Sequence, residues 1–182
     1  HTHLLKYEGQ WYIFYHNLLL KDYHDFDGGF RSICVDKIDV DEKNVKIKMT
    51  QMTRKGVDQI RPLNPFQIQQ TETVAGTLNA TFAETETVGN TVLDVTGANQ
   101  TVMVRGAKFS KSPKQIVCKV KGHGSFKVCI GTPDSQPVAK VSVNSNDWKN
   151  VKASIKGKVR GQQNVYFISE NGNYQFDEWK FE

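Results

Sequence analysis

Apolar and polar residues alternate with a period of two along most of the chain, and no helical period longer than one turn occurs. Residues 10–16, QWYIFYH, are apolar or aromatic on both faces, which is typical of a strand that is covered on both sides. Residues 148–161, WKNVKASIKGKVRG, place lysine on one face and valine, alanine or isoleucine on the other, which is typical of a surface strand. The pattern therefore predicts an all-β protein.

The first quarter of the chain predicts one small antiparallel sheet. Residues 4–16 form two strands around a tight Glu8-Gly9 turn, and residues 31–41 and 44–53 form a second hairpin. The residues between the two hairpins are predicted as a loop. A four-stranded sheet that is apolar on both faces is a poor domain by itself. A propeller blade, which lies between neighbouring blades, has this requirement, so we predict a four-stranded, propeller-blade-like sheet.

Two prolines in residues 61–67, RPLNPFQ, interrupt the strand pattern and predict a boundary between domains at residues 1–61 and 62–182. About nine short alternating runs follow the boundary. Glycine, asparagine and proline separate these runs at residues 121–124, 132–134, 144–147 and 171–173. Short strands with frequent turns predict an antiparallel, jelly-roll-like β-sandwich.

Composition places the chain among globular proteins, with 38% hydrophobic and 24% charged residues. No apolar run approaches the roughly 20 residues that span a bilayer, so we expect no membrane partner. The net charge of +5 has two interpretations, an acidic partner or a solvated lysine face, and the even spread of lysines favours the second. No arginine-rich stripe or nucleic-acid module is present, and we expect no nucleic-acid partner.

The three cysteines cannot form a closed disulfide framework because their number is odd. Cys118 and Cys129 lie on neighbouring strand-like runs and could pair or simply pack; buried free thiols are favoured.

The N-terminal residues carry motifs of a known family. Residues 9–12 give a Gly-x-Trp-Tyr strand, residues 15–16 a Tyr-His pair, and residues 31–36 an Arg-Ser-x-x-x-Asp strand, followed by Lys55-Gly56-Val57. This stretch of about 57 residues resembles the last blade of the five-bladed propeller of glycoside hydrolase family 43.

The remaining residues resemble a family 6 carbohydrate-binding module. The matching stretches are NPFQIQQTETVA (64–75), ANQTVMVRGAKFS (98–110), GSFKVCIGTPDSQPVAKVSVNSNDWKNVK (124–152) and GNYQFDEWKFE (172–182). Such modules often follow family 43 enzymes, so the order of the two resemblances supports both.

The first resemblance implies that this chain has no catalytic residues of its own. The catalytic acid, base and auxiliary aspartate of the family lie on earlier blades, which this chain does not contain. Asp36, Asp39 and Asp41 lie on one strand and its exit, and they do not form the positioned carboxylate pair that glycoside hydrolysis requires. We therefore expect the chain alone to be inactive.

The second resemblance implies a structural calcium ion between the first and last strands of the module. By position its side-chain ligands are Gln70, Glu72 and Asp177, joined by backbone carbonyls. Calcium prefers six to eight oxygen ligands, and these groups provide them. Gln70 stands where the family has a carboxylate, so we expect a reduced calcium affinity.

The same resemblance implies a sugar-binding cleft in which two aromatic rings clamp one sugar and an asparagine bonds to it. Here Thr101 takes the place of one ring and Gln175 that of the asparagine, whereas Tyr174 is the local ring that could serve. With the neighbouring Asn173 these residues form the predicted carbohydrate-binding set. Trp148 and Trp179 are interpreted as packing residues.

Together the resemblances imply a non-catalytic C-terminal region of a secreted plant-polysaccharide glycosidase, located outside the cell or in the periplasm. The module is expected to bind xylan- or arabinan-type glycans. The alternative is a structural module that braces the parent enzyme, of the β-xylosidase, α-L-arabinofuranosidase or endo-xylanase class. The expected partners are a hemicellulose-type polysaccharide or the rest of the catalytic domain, with self-association possible through the blade-like sheet.

Overall fold

The computed structural model describes residues 2–25, 27–29 and 31–182. The chain divides into two compact units, the first ending at Ile60 and the second covering Arg61–Glu182. The regular structure of the described residues is almost entirely β, which confirms the predicted fold class. Among the residues that the structure describes, no helix is both long and apolar enough to cross a membrane.

The first unit contains one antiparallel sheet, a short hairpin and one short helix. Its elements are β1 (His3–Tyr7), β2 (Gln10–Asn17), α1 (Leu19–His24), β3 (Ser32–Ile38), β4 (Val40–Asp41) and β5 (Lys46–Ile47). The sheet order is β1-β2-β3, while β4 and β5 pair only with each other. The fourth predicted strand therefore belongs to a separate hairpin, which begins after a break at Asp39.

The helix α1 occupies residues for which the sequence predicts a loop. The Asn17 side chain accepts a hydrogen bond from the Leu19 N–H at 3.2 Å, which satisfies one of the unpaired donors at the start of the helix. The helix ends at His24, and the residue that caps it, Asp25, has a left-handed φ of 52°. A helix of 6 residues is too short to show a hydrophobic period, so the pattern could not predict it.

A buried carboxylate ties the first unit together. Asp36 accepts hydrogen bonds from the Tyr15 hydroxyl at 2.6 Å, the Thr53 N–H at 2.9 Å and the Thr53 hydroxyl. The bond to Asp36 raises the pKa of Tyr15 to about 12. Burial raises the pKa of Asp36, but the bonds from Thr53 and Tyr15 outweigh it and lower the pKa overall. The network thus links β2 and β3 to the segment that follows the hairpin.

The second unit is built from eight strands. They are β6 (Gln69–Gln70), β7 (Gly76–Leu78), β8 (Thr81–Glu84), β9 (Thr91–Thr96), β10 (Thr101–Phe109), β11 (Gln115–Ile130), β12 (Ala139–Ser154) and β13 (Gly161–Phe181). The main order is β12-β11-β13-β10-β7, with β6 and β9 also paired to β13 and β8 to β9. All named strand pairs are antiparallel.

The three longest strands each contain residues for which the sequence predicts a chain-reversing turn. Pairing between β11 and β13 continues through Gly122, which is opposite Tyr174, and through Gly124, which is opposite Gly172. The φ of Gly172 is 90°, a left-handed conformation that favours glycine. The two strands therefore continue, paired, through these glycines, and neither one reverses. The predicted turn at residues 132–134 does separate β11 from β12.

The core of the second unit is rich in aromatic rings. Phe126 stacks on Phe176 with ring centroids 4.9 Å apart, and Phe167 meets Trp179 at 5.2 Å. Trp179 is fully buried, which confirms its predicted packing role. Cys118 and Cys129 are buried free thiols, the favoured alternative.

Candidate functional site

A groove of about 260 Å³ lies on the second unit where three strands run side by side. Its lining comes from β9, β11 and β13. The lining residues are Asp94, Val95, Thr96, Lys121, Gly122, Asn173, Tyr174 and Gln175.

A row of three polar side chains crosses this groove. Gln175 on β13 is directly opposite Asp94 on β9 and directly opposite Lys121 on β11. Residues that are opposite each other on paired strands project from the same face of the sheet. The Gln175 amide nitrogen donates to the Asp94 carboxylate at 3.4 Å. The row therefore presents a carboxylate, an amide and an ammonium group in sequence.

The floor of the groove depends on a glycine. A Cβ atom on Gly122 would lie 2.6 Å from the Asn173 carbonyl oxygen and 2.6 Å from the Tyr174 Cα. The absence of a side chain lets β11 and β13 approach closely at this point.

The structure brings together three of the four residues predicted to bind carbohydrate. Asn173 is exposed and Gln175 is half-buried, and both line the groove. Tyr174 also lines it, but the residue is only 4% exposed and its ring stacks on Phe126 at 5.8 Å. Burial raises the pKa of Tyr174. Thr101 lies on β10, opposite Leu78 and Ile168, and does not line the groove.

Sequence reasoning missed Asp94 and Lys121, the two charged residues of the polar row. Asp94 is the one charged residue in the strand TVLDVT, and that isolated charge was the available signal. Lys121 lies in a predicted turn.

Trp148 is half-buried and lies outside the core cluster, with the Lys119 ammonium 5.7 Å from its ring centroid. This cation–π contact places the ring on the surface of the sheet beside β11.

The three predicted calcium ligands share an uncommon property. Each has a buried side-chain oxygen without a hydrogen-bond partner; the atoms are Gln70 Oε1, Glu72 Oε2 and Asp177 Oδ1. Thr71, between the first two, donates from its N–H and its hydroxyl to the Asp177 carbonyl at 2.8 and 2.7 Å. These two hydrogen bonds hold residues 70–72 beside β13.

Buried oxygens of this kind need either hydrogen-bond donors or a cation. One amide oxygen and two carboxylate oxygens, with nearby backbone carbonyls, are ligands that calcium accepts, so the residues fit the ion. In the described residues, no group of three or more histidine, cysteine, aspartate or glutamate side chains could hold a metal. The site proposed here is different, because it combines one amide oxygen with two carboxylates.

A lysine lies against the Asp177 carboxylate. The Lys119 ammonium is 2.7 Å from Asp177 Oδ2 and 3.7 Å from Glu178 Oε1. The hydrogen bond to Asp177 raises the pKa of Lys119, which keeps the side chain charged.

Comparison with known proteins finds relatives of the whole chain and of its larger part. No protein-family model matches the chain. An arabinoxylan arabinofuranohydrolase from Paenibacillus polymyxa is 24% identical over 198 residues, which cover 100% of this chain and 31% of that protein. The chain thus spans about a third of the length of this curated relative. The crystal structure of a glycoside hydrolase family 43 arabinoxylan arabinofuranohydrolase from Bacillus subtilis matches 100% of this chain and 40% of that one, with 22% identity and a TM-score of 0.86.

Separate modules match the larger part of the chain. CsCBM6-3 from Clostridium stercorarium covers 68% of this chain and 98% of its own length, with 14% identity and a TM-score of 0.61. A β-1,3-glucan-binding family 6 module from Bacillus halodurans covers 67% of this chain and 99% of its own length, with 16% identity and a TM-score of 0.61. The chain resembles the C-terminal part of a family 43 glycoside hydrolase followed by a family 6-like carbohydrate-binding module.

This result confirms the double resemblance that the sequence motifs indicated. The share covered by the separate modules agrees with the size of the second unit, Arg61–Glu182, which is the family 6-like module. At these identities the likeness establishes the β-sandwich fold of the module and leaves its ligand open.

Proposed function

We propose that the family 6-like module binds xylan- or arabinan-type polysaccharide chains through its groove, as a non-catalytic part of a secreted glycosidase. The observation that carries the proposal is the row of Asp94, Gln175 and Lys121 across three paired strands. The arabinoxylan arabinofuranohydrolases that match the whole chain support this choice of polysaccharide.

The chemistry of the row suits sugar hydroxyl groups, which both donate and accept hydrogen bonds. The Asp94 carboxylate accepts, the Lys121 ammonium donates, and the Gln175 amide does both. The exposed Asn173 adds a second amide at the edge of the groove. The one aromatic ring of the lining belongs to the buried Tyr174, so little ring surface is available for stacking on a sugar. We therefore expect weak binding that depends on hydrogen bonds.

A structural calcium ion completes the proposal. Gln70, Glu72 and Asp177 would hold it through the three buried oxygens that have no partner. A bound calcium ion would supply the positive charge that these oxygens need. It would link residues 70–72 to the last strand, which also carries Asn173 and Gln175.

The second candidate function is that of a brace for the parent glycosidase, without a sugar ligand. The burial of Tyr174 and the place of Thr101 outside the groove favour this alternative. Thr101 stands where the family pattern has a clamping ring, and Tyr174 is the local ring that could serve in its place. In either case the first unit would serve as a blade of the parent's catalytic propeller, outside the cell or in the periplasm.

Affinity electrophoresis tests sugar binding. We expect soluble xylan or arabinan in the gel to retard the protein and mixed-linkage β-glucan to retard it less. Gln175→Ala removes the central amide and should weaken the retardation about three- to tenfold, the value of one hydrogen bond. Gln162→Ala, an exposed glutamine on the same strand, is the matched control and should have no effect. A lack of retardation on every polysaccharide would contradict sugar binding and favour the bracing role.

Thermal unfolding tests the calcium site. We expect the midpoint to rise by several degrees when calcium replaces EDTA, because a ligand that binds only the folded state stabilises it. Glu72→Gln keeps the shape of the side chain, removes one negative charge and should reduce this rise. Glu84→Gln, at an exposed glutamate on β8, is the control. An equal midpoint in EDTA and in millimolar calcium would argue against the site.

A further inference from the structure

Asp177 has two oxygens in different surroundings, although the side chain is only 1% exposed. Oδ2 is 2.7 Å from the Lys119 ammonium, whereas Oδ1 has no hydrogen-bond partner. A buried carboxylate without a compensating charge is strongly unfavourable. Lys119 therefore supplies the positive charge that the carboxylate needs in a protein without calcium.

The backbone of β13 brings this contact about. Lys119 is opposite Glu178, whereas Val120 is opposite Phe176, so Asp177 is an extra residue in β13 at a β-bulge. In a regular strand Asp177 and Glu178 would project from opposite faces, and a bulge redirects side chains locally. Both carboxylates consequently reach the same ammonium, at 2.7 and 3.7 Å.

A third contact holds the ammonium in place. The ring of Trp148 on β12 lies 5.7 Å from Lys119 Nζ. The lysine side chain thus has partners on both neighbouring strands, and it is only 35% exposed. A charge held on two sides is a fixed part of the site, in contrast to a mobile surface lysine.

We propose that Lys119 is a built-in cation of the calcium site, which stabilises Asp177 when calcium is absent and competes with calcium when it is present. The inference rests on the calcium site of the proposed function. Glu72 and Asp177 bring two negative charges to the ion, Gln70 brings none, and Lys119 cancels one. Calcium affinity rises with the negative charge of its ligands, so the lysine weakens the site. The ammonium also repels the ion directly and occupies Oδ2, which prevents bidentate coordination by Asp177.

The test is a calcium titration of the full chain and of Lys119→Met, which removes the charge and keeps most of the apolar stem. We expect Lys119→Met to melt several degrees below wild type in EDTA. In isothermal titration calorimetry it should bind calcium about tenfold more tightly than wild type, because one opposing charge is gone. Lys119→Arg keeps the charge and should resemble wild type in both measurements.

The matched control is Lys140→Met, which breaks the Lys140–Glu170 ion pair of 2.8 Å elsewhere in the module. It should change neither the calcium affinity nor the difference between EDTA and calcium. If Lys119→Met folds only in calcium, the double variant Lys119→Met, Asp177→Asn should fold in EDTA, since its carboxylate charge is also gone.

The outcomes separate the two proposals. Equal calcium affinity of wild type and Lys119→Met would overturn the role of Lys119 and leave the calcium site intact. Binding of calcium by neither protein would overturn the calcium site, and with it the competition. A midpoint in EDTA that Lys119→Met leaves unchanged would overturn the stabilising role of the lysine.

Discussion

Gly172→Ala should destabilise the module by roughly 3–5 kcal/mol, the combined order of an overpacked contact and a strained backbone. A Cβ atom at this position would lie 2.1 Å from the His123 carbonyl oxygen and 2.4 Å from the Gly124 Cα. Both neighbours are backbone atoms of the paired strand, so no side-chain rotation relieves the clash. The φ of 90° adds strain for any residue with a Cβ atom.

Gly157→Ala is the matched control for this experiment. Its φ is 80°, similarly left-handed, but a Cβ atom would meet nothing within 4 Å. This variant should lose only about 1 kcal/mol, from backbone strain alone. Urea unfolding followed by tryptophan fluorescence measures both variants. If the two alanine variants are equally stable, β11 and β13 are not as close at Gly172 as the structure shows.

Gly172 also shows how far the sequence could predict the fold. Asn171-Gly172-Asn173 has the composition of a turn, and local sequence signals report backbone conformation correctly here, since the φ of Gly172 is positive. They do not report whether the chain reverses or continues. That outcome depends on pairing with β11, which lies about 50 residues earlier in the chain. The same reasoning explains why six of the predicted strands merge in pairs into the three long strands β11, β12 and β13.

The candidate site was predictable to a similar extent. The resemblance to family 6 modules indicated Gln175 and Asn173, because these residues follow the motif of the last strand. Asp94 joins them only through the register between β9 and β13, which one strand's pattern cannot reveal. Tyr174 lies between Asn173 and Gln175 on β13, so strand alternation directs its ring to the opposite, core face, where it stacks on Phe126. Long-range register and strand alternation therefore decide which predicted residues remain available to a ligand.

The proposed calcium ligands illustrate the opposite case. Gln70 and Glu72 precede Asp177 by about a hundred residues, yet the family pattern predicts all three together, and each has an unpartnered buried oxygen. The pattern gave no indication of Lys119, because the contact depends on the bulge that inserts Asp177 into β13. The contact between Lys119 and Asp177 is thus a property of the folded strands.

Phe126→Ala should lower the free energy of unfolding about as much as Gly172→Ala, because it leaves a cavity where Gly172→Ala overpacks a contact. Phe126 is only 1% exposed and lies at the centre of an aromatic cluster. Its ring is 4.9 Å from Phe176, 5.8 Å from Tyr174 and 6.2 Å from Phe167. Removal of a buried phenylalanine ring costs roughly 3–5 kcal/mol, because the transfer free energy of the ring is lost and a cavity remains.

Phe82→Ala is the control, since Phe82 is 37% exposed and lies on the short strand β8. Its loss of stability should stay near 1 kcal/mol, because partial burial removes less apolar area from water. Urea unfolding measures the stability of both variants.

Phe126→Ala should also affect the groove, which retardation in the polysaccharide gel tests. Because Tyr174 packs on Phe126, the cavity in Phe126→Ala would free the tyrosine ring to move, and Asn173 and Gln175 flank that ring on β13. Sugar retardation should therefore weaken in Phe126→Ala under conditions where the variant is still folded. Unchanged retardation would mean that the backbone of β13 holds the groove independently of the aromatic core beneath it.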